Sequence, residues 1–240
     1  MKIRSEMFVV LILAFAASVF SWSQEQDSSK VALQQKVAEL KKNVAANRAK
    51  LAKYQWLQTT QVSIKGEVKD EQRAQCRYGP DGKLQKTPTA SSKPAEEPKA
   101  PGGLRGKMAQ KKIAEMKSYM ERLKSLIGHY APPNPERLQS ELQAGKASLQ
   151  LTAGNSELTF MDYYKQGDKV TFSYDTNAKR LTSYNVDTYL DDPKKDIVTL
   201  TNQFTTLPDG TNYLQETLLD AKDKEIQIKT TNSGHSLINQ

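Results

Sequence analysis

The sequence predicts an α+β fold, in which a long, curved antiparallel meander of about ten strands forms an open half-barrel wrapped on an N-terminal helix and two central helices. Three observations support this prediction. Apolar residues recur every three or four positions in three segments, which is typical of amphipathic helices. Elsewhere they alternate with polar residues, as in strands with one buried face. Turn-forming stretches separate those alternating segments.

The first 23 residues have the pattern of a secretory signal peptide. Lys2 and Arg4 precede an apolar run from Phe8 to Phe20, and Ser21 and Ser23 are the small residues that a signal peptidase recognises. The run has 13 residues, which is short of the ~20 that a membrane-spanning helix needs. We therefore expect cleavage near Ser23, a periplasmic or secreted protein without a membrane-spanning segment, and a single domain over 24–240.

The first half of this domain begins with an apolar stripe that predicts a helix over about 29–53. Alternation then predicts strands over 54–65 and 71–78, and Gly79–Gly82 turns the chain back. Residues 87–103 hold four prolines, two glycines and no large apolar side chain. This composition predicts a disordered loop within the domain.

The second half contains two helices followed by strands. Apolar residues from Ile113 to Tyr130 predict a helix over about 104–129. A third helix is expected to begin with Asn134 as its cap and Pro135 in its first position, and to end at Gly145. Seven further strands are predicted near 147–153, 156–163, 168–175, 180–190, 196–206, 212–219 and 224–231.

Charge is unevenly distributed along the chain. Residues 24–131 contain 22 basic and 11 acidic side chains, whereas residues 132–240 contain 11 and 15. Because an exported protein meets anionic lipid headgroups and acidic envelope polymers, the basic half predicts an anionic envelope component as partner and argues against nucleic acid. Lys107, Lys111 and Lys112 are the candidate anion-binding residues.

No catalytic or metal-binding pattern is present. Cys76, His129 and His235 lie in unrelated segments without ligand spacing, so we expect no metal and no cofactor. The sequence has neither a Gly-x-Ser-x-Gly elbow nor a phosphate-binding glycine loop, and Cys76 is expected to be a buried, inert thiol. The prediction is a protein that is not an enzyme.

Two functions remain open. In the first, a soluble exported protein holds an apolar or lipid-like ligand, such as an acyl chain, between the concave sheet and the helices. The methionines of the second helix favour this function, because methionine adapts to irregular apolar partners. In the second, the core is filled, and an envelope structural or interaction protein binds an anionic polymer or partner through its basic loop and helix. The ligand-binding residues predicted for the first function are Tyr54, Trp56, Met108, Met116, Met120, Phe172 and Tyr184.

Two resemblances accompany these predictions. The order of signal, helix, strands, helices and strands, with the passage from Leu51 through Tyr54 and Trp56 into the first strand, resembles the periplasmic outer-membrane lipoprotein carrier superfamily. That resemblance implies an unclosed barrel that holds an acyl chain beneath helices acting as a lid, and it carries over no functional residue. Segments 78–83, 145–150, 207–213 and 229–233 resemble a family of short, uncharacterised bacterial secreted proteins, which implies no activity.

Overall fold

The computed structural model describes residues 31, 34–35, 37–39, 41–89 and 104–238. It divides the chain into two units, 1–43 and 44–240. The described residues of the first unit are helical. The predicted signal peptide over 1–23 and the predicted loop from residue 90 to residue 103 lie outside the described residues.

The second unit is an α+β structure built on one ten-stranded antiparallel sheet, which confirms the predicted α+β class and the open antiparallel sheet. Its first helix, α1, is helical over 44–51, and a short 3-10 turn spans Lys222–Lys224. The other elements are β1 (Tyr54–Ile64), β2 (Glu67–Tyr78), β3 (Leu84–Pro88), α2 (Leu104–Gly128), α3 (Pro135–Gln143), β4 (Ala147–Thr152), β5 (Asn155–Met161), β6 (Lys169–Asp175), β7 (Arg180–Tyr189), β8 (Ile197–Thr206), β9 (Asn212–Ala221) and β10 (Ile226–Leu237).

The strands do not follow one another from edge to edge in chain order. Their order is β3-β2-β1-β10-β9-β8-β7-β6-β5-β4, so β3 and β4 form the two edges and the sheet is open. β1 pairs with β10, with Gln58 opposite Asn232 and Ile64 opposite Ile226. The first three strands therefore extend the sheet beyond the last strand, and two meanders join at the β1–β10 pair.

Alternation along the strands separates a buried face from an exposed one, as the sequence predicts. The side of the sheet that carries Val170, Val186 and Leu200 is called the buried face below, because these three side chains are at most 2% exposed. Directly paired residues continue this face as a row of apolar side chains across six strands. The row runs through Phe160, Val170, Val186, Leu200, Leu219 and Ile228.

The predicted boundaries of α3 are confirmed by its caps. The Asn134 side chain accepts hydrogen bonds from the backbone N–H groups of Glu136 (2.9 Å) and Arg137 (3.1 Å), which would otherwise lack partners in the first turn. Gly145 follows the helix with a φ of 73°. The Lys146 N–H then donates to the Glu141 carbonyl at 3.1 Å, which closes the C-terminus as a Schellman motif does.

Two boundaries differ from the prediction. β2 begins at Glu67, four residues before the expected 71, because Lys65 and Gly66 have φ values of 53° and 78° and form a tight hairpin turn. Val68 is 57% exposed, so the extension shows no apolar alternation. β3 includes Thr87 and Pro88, so the expected loop over 87–103 begins too early; a proline is tolerated there because β3 is an edge strand.

Helices α1 and α2 are connected to the sheet by specific contacts. The Asn47 side chain of α1 donates to the Asn212 carbonyl (2.6 Å) and accepts from the Asn212 N–H (2.7 Å). Arg122 of α2 forms an ion pair with Asp191, in the connection between β7 and β8. Leu123 of α2 is 1% exposed. These contacts fix which side of α2 faces the sheet.

Candidate functional site

A cavity of about 650 Å³ is lined by α2 and by strands β1, β3, β8, β9 and β10. Its volume lies within the ~300–1,000 Å³ range of small-molecule sites. We refer to it below as the cavity. Its apolar lining consists of Met120, Leu123, Ile127, Leu200, Leu214, Leu219 and Ile228. Its polar lining consists of Gln58, Thr60, Lys86, Lys117, Glu121, Lys124, Thr217 and Thr230.

The sheet wall of the cavity carries an apolar row beside a polar row. The apolar row is contributed by Leu200, Leu219 and Ile228, which are paired across β8, β9 and β10. The polar row, two residues along each strand, runs through Thr60, Thr230, Thr217 and Asn202. A ligand against this wall therefore meets both apolar surface and hydroxyl groups.

The hydroxyl groups of this polar row already have partners in the sheet. The hydroxyls of Thr60 and Thr230 are 3.2 Å apart and hydrogen-bonded to each other. The Thr217 hydroxyl donates to Asn202 Oδ1 at 2.8 Å, and the Asn202 amide donates to the Tyr184 carbonyl at 2.9 Å. Because these groups are satisfied, they form part of the wall without requiring water or a ligand.

The helix wall of the cavity comes from one side of α2. Met120, Leu123 and Ile127 are spaced by three and four residues, so they lie on one side of the helix. Lys117 and Lys124 line the cavity beside them. Long lysine side chains can cover apolar surface with their methylene groups while the ammonium group remains in water.

The β3 side of the cavity is polar. Lys86 Nζ donates to Gln58 Oε1 at 2.7 Å. The Gln58 amide and the Trp56 indole N–H each donate to Asn232 Oδ1 at 3.0 Å. This network links β3, β1 and β10, and it positions a lysine at the edge of the sheet next to the cavity.

Only one of the seven predicted ligand-binding residues, Met120, lines the cavity. Met116 is partly exposed on α2, and Met108 is 65% exposed. Trp56 is buried, with its ring 5.6 Å from that of Tyr78 and stacked on His235 at 5.7 Å. The structure therefore does not bring the predicted aromatic and methionine residues together at one site.

The other three predicted residues make contacts elsewhere. Tyr54 donates a hydrogen bond to Asp209 Oδ2 at 2.8 Å on the surface. Phe172 and Tyr184 are buried, with their rings 4.8 Å apart. The Tyr184 hydroxyl donates to the Tyr130 carbonyl at 2.6 Å, and burial raises its pKa. This pair therefore belongs to the buried core, and Tyr184 contacts the segment that follows α2.

The predicted anion-binding lysines are not among the residues that line the cavity either. Lys107, Lys111 and Lys112 are exposed on the first half of α2, and Lys111 lies 4.0 Å from Glu115 one turn later. The lysines that line the cavity are Lys86, Lys117 and Lys124. Lys117 and Lys124 were detectable in the sequence, since they lie seven residues apart on either side of Met120 and so share one side of the helix. Lys86 carried no such signal.

A second cluster of polar groups surrounds the buried carboxylate of Asp168. It accepts backbone hydrogen bonds from Tyr163 (2.5 Å), Tyr164 (2.9 Å) and Lys165 (2.7 Å), and one from the Tyr130 hydroxyl (2.6 Å). Burial and this carboxylate raise the pKa of Tyr130. With four donors satisfied by one carboxylate, the cluster stabilises a loop and presents no free acid or base.

Cys76 has the properties expected of an inert thiol. It is 0% exposed, and its Sγ lies 3.8 Å from the Ala74 carbonyl oxygen. Burial raises its pKa, and the charge of Lys86 opposes that effect. A raised pKa lowers the thiolate fraction, so this cysteine is a poor nucleophile.

Comparison of the chain with protein-family models, with curated proteins and with solved structures found no match. Both resemblances drawn from the sequence therefore stay predictions. Among the described residues, no helix combines the length and the apolar character required to cross a bilayer.

Proposed function

We propose that this chain is an exported binding protein that holds an apolar or lipid-like ligand in the cavity. The observation that carries the proposal is a cavity of about 650 Å³ whose lining includes seven apolar side chains from α2 and three strands. Binding would proceed by burial alone, because transfer of an alkyl chain out of water contributes ~0.8 kcal/mol per CH₂. No bond is made or broken in this function.

In this proposal the sheet curves around the helices as a half-barrel, and α2 acts as the lid of the cavity. The ion pair between Arg122 and Asp191 supports this role, because both side chains are about half exposed and exposed ion pairs contribute little to stability. The pair therefore adds little to the cost of moving α2 away from the sheet, and most of that cost is the exposure of Leu123 and Leu126, which are buried.

The predicted signal peptide supports a ligand found in the envelope or outside the cell. An open cavity also favours this function over the alternative of a filled core that binds polymer through Lys107, Lys111 and Lys112. Those three lysines are exposed, so a surface role for them remains compatible with ligand binding in the cavity.

The proposal predicts that a bulky side chain placed in the cavity weakens ligand binding. Met120→Trp adds a bulky ring at the cavity wall, whereas Met108→Trp makes the same change at a position on α2 that is 65% exposed. We expect Met120→Trp to weaken the binding of a fluorescent acyl-chain probe at least about tenfold, the loss of roughly two buried CH₂ groups. Met108→Trp should bind the probe as the wild type does.

The measurement is a fluorescence titration of each purified protein below the critical micelle concentration of the probe. Circular dichroism of the Met120→Trp variant provides the folding control. Equal affinities for the two tryptophan variants, or no binding by the wild-type protein, would contradict the proposed function.

A further inference from the structure

The charged side chains of the cavity suggest the chemical class of its ligand. Four charged residues line it: Lys86, Lys117, Lys124 and Glu121. In the described part of the chain, neither Lys117 nor Lys124 has a carboxylate within ion-pair distance. Lys86 is hydrogen-bonded to the neutral amide of Gln58. The lining therefore has an excess of positive charge that the protein itself does not neutralise.

The positions of the residues around α2 indicate where this charge lies. Successive residues of a helix are rotated by ~100°, so Lys117 and Lys124 are within ~20° of each other and ~140–160° from Arg122. Arg122 is held by Asp191, in the connection between β7 and β8. The two lysines consequently lie on the opposite side of α2, which faces the β1–β3 half of the sheet.

The same half of the sheet provides the third lysine. Lys86 is on β3, and its Nζ reaches Gln58 on β1. In contrast, Leu200, Leu214 and Leu219 come from β8 and β9. Since neighbouring strands are ~4.8 Å apart, β9 lies ~10 Å and β8 ~14 Å from β1 across the cavity. The cavity is thus cationic on one side and apolar on the other.

We infer that the ligand is an anionic amphiphile, with its carboxylate or phosphate group beside Lys86, Lys117 and Lys124 and its alkyl chain against the leucines of β8 and β9. This inference rests on the proposed function, since it concerns the same cavity. Ammonium groups are strong donors to carboxylate and phosphate oxygens. Glu121 opposes the anion and limits its affinity.

The test compares three dodecyl compounds that share one tail and differ in their headgroup: dodecyl phosphate, dodecanoate and dodecyl maltoside. Calorimetric titrations are made below the critical micelle concentration of each compound. We expect the wild-type protein to bind both anionic compounds about tenfold more tightly than the neutral maltoside, because three ammonium groups act on one headgroup. Inorganic phosphate at the same concentration should not compete, since it has no tail.

Two triple variants with the same change in net charge separate local from general electrostatics. Lys86→Gln/Lys117→Gln/Lys124→Gln should remove the preference for the anionic compounds over the maltoside. The matched control replaces Lys107, Lys111 and Lys112 by Gln, and it should retain the preference. Glu121→Gln should strengthen binding of both anionic compounds.

The outcomes distinguish this inference from the function on which it rests. Equal binding of all three compounds by the wild type, or an equal effect of the two triple variants, overturns the anionic headgroup and leaves the apolar cavity intact. Competition by inorganic phosphate overturns the amphiphile in favour of a free anion. If no dodecyl compound binds, the proposed function itself is wrong.

Discussion

At the scale of single residues, His235 is the side chain whose environment gives the clearest dependence on pH. Its ring is stacked on Trp56 at 5.7 Å and lies 4.0 Å from the ring of Tyr213. Burial lowers its pKa from the ordinary 6.5. The unfolded chain therefore takes up a proton at this histidine more readily than the folded chain does.

We predict that the free energy of unfolding decreases as the pH falls below about 6.5 and that His235 contributes to this decrease. The contribution of neutral His235 is complete above the unfolded pKa and is lost as the pH falls through the lower folded pKa. His235→Phe keeps an aromatic ring and removes the titrating group. Urea unfolding between about pH 7 and pH 5 should therefore show a shallower decrease for His235→Phe; parallel curves would refute the assignment.

Individual residues were predicted from the sequence where local chemistry determines their role. Asn134 was predicted as a helix cap because its side chain needs only the two N–H groups that follow it. The burial of Cys76 was likewise expected from its neighbours. The ligand-binding residues were not predictable in this way, because an apolar residue such as Phe172 is suited equally to a cavity wall and to the filled core where it lies.

At the scale of elements, the connection between β5 and β6 is built around one buried carboxylate. Asp168 binds the backbone of 163–165 and the hydroxyl of Tyr130, which follows α2. Tyr130 also shares a hydrogen bond of 2.8 Å with Thr188 on β7. One side chain thus connects the end of α2 to a loop and to the sheet.

Asp168→Ala should therefore destabilise the fold strongly. It leaves backbone N–H groups and the Tyr130 hydroxyl without an acceptor, and we expect a loss of about 3 kcal/mol in the free energy of unfolding. Asp187→Ala is the matched control, because Asp187 is 55% exposed and pairs with Lys169 on the surface. That control should cost at most ~1 kcal/mol. Equal urea midpoints for the two variants would contradict this account.

Most elements were predictable because most of the strands bury one face. Alternation placed β6 and β7 to within one residue, since Val170, Phe172 and Tyr184 all point to the buried face. It failed where a strand buries little: every residue of β3 is exposed. The role of Asp168 was also missed, because Gln166-Gly167-Asp168 carries the same turn signal as other connections.

At the scale of the whole second unit, the strand order is what creates the cavity. β1 and β10 form hydrogen bonds between residues such as Gln58 and Asn232, which are 174 positions apart. This pairing places the polar residues of β1 and β3 beside the apolar residues of β8 and β9. Sequence periodicity contains no information on which distant strands pair. The sheet and its helices could therefore be predicted from the sequence, whereas the lining of the cavity could not.

The central claim is that the cavity holds an apolar tail, and native mass spectrometry tests it most directly. The full chain is purified without detergent from the envelope or secreted fraction of its own organism, beside Met120→Trp prepared in the same way. We expect the wild-type protein to carry a bound species with the mass of a lipid or fatty acid, and the Met120→Trp variant to lack it. A wild-type protein that repeatedly shows only the mass of the polypeptide would contradict the claim.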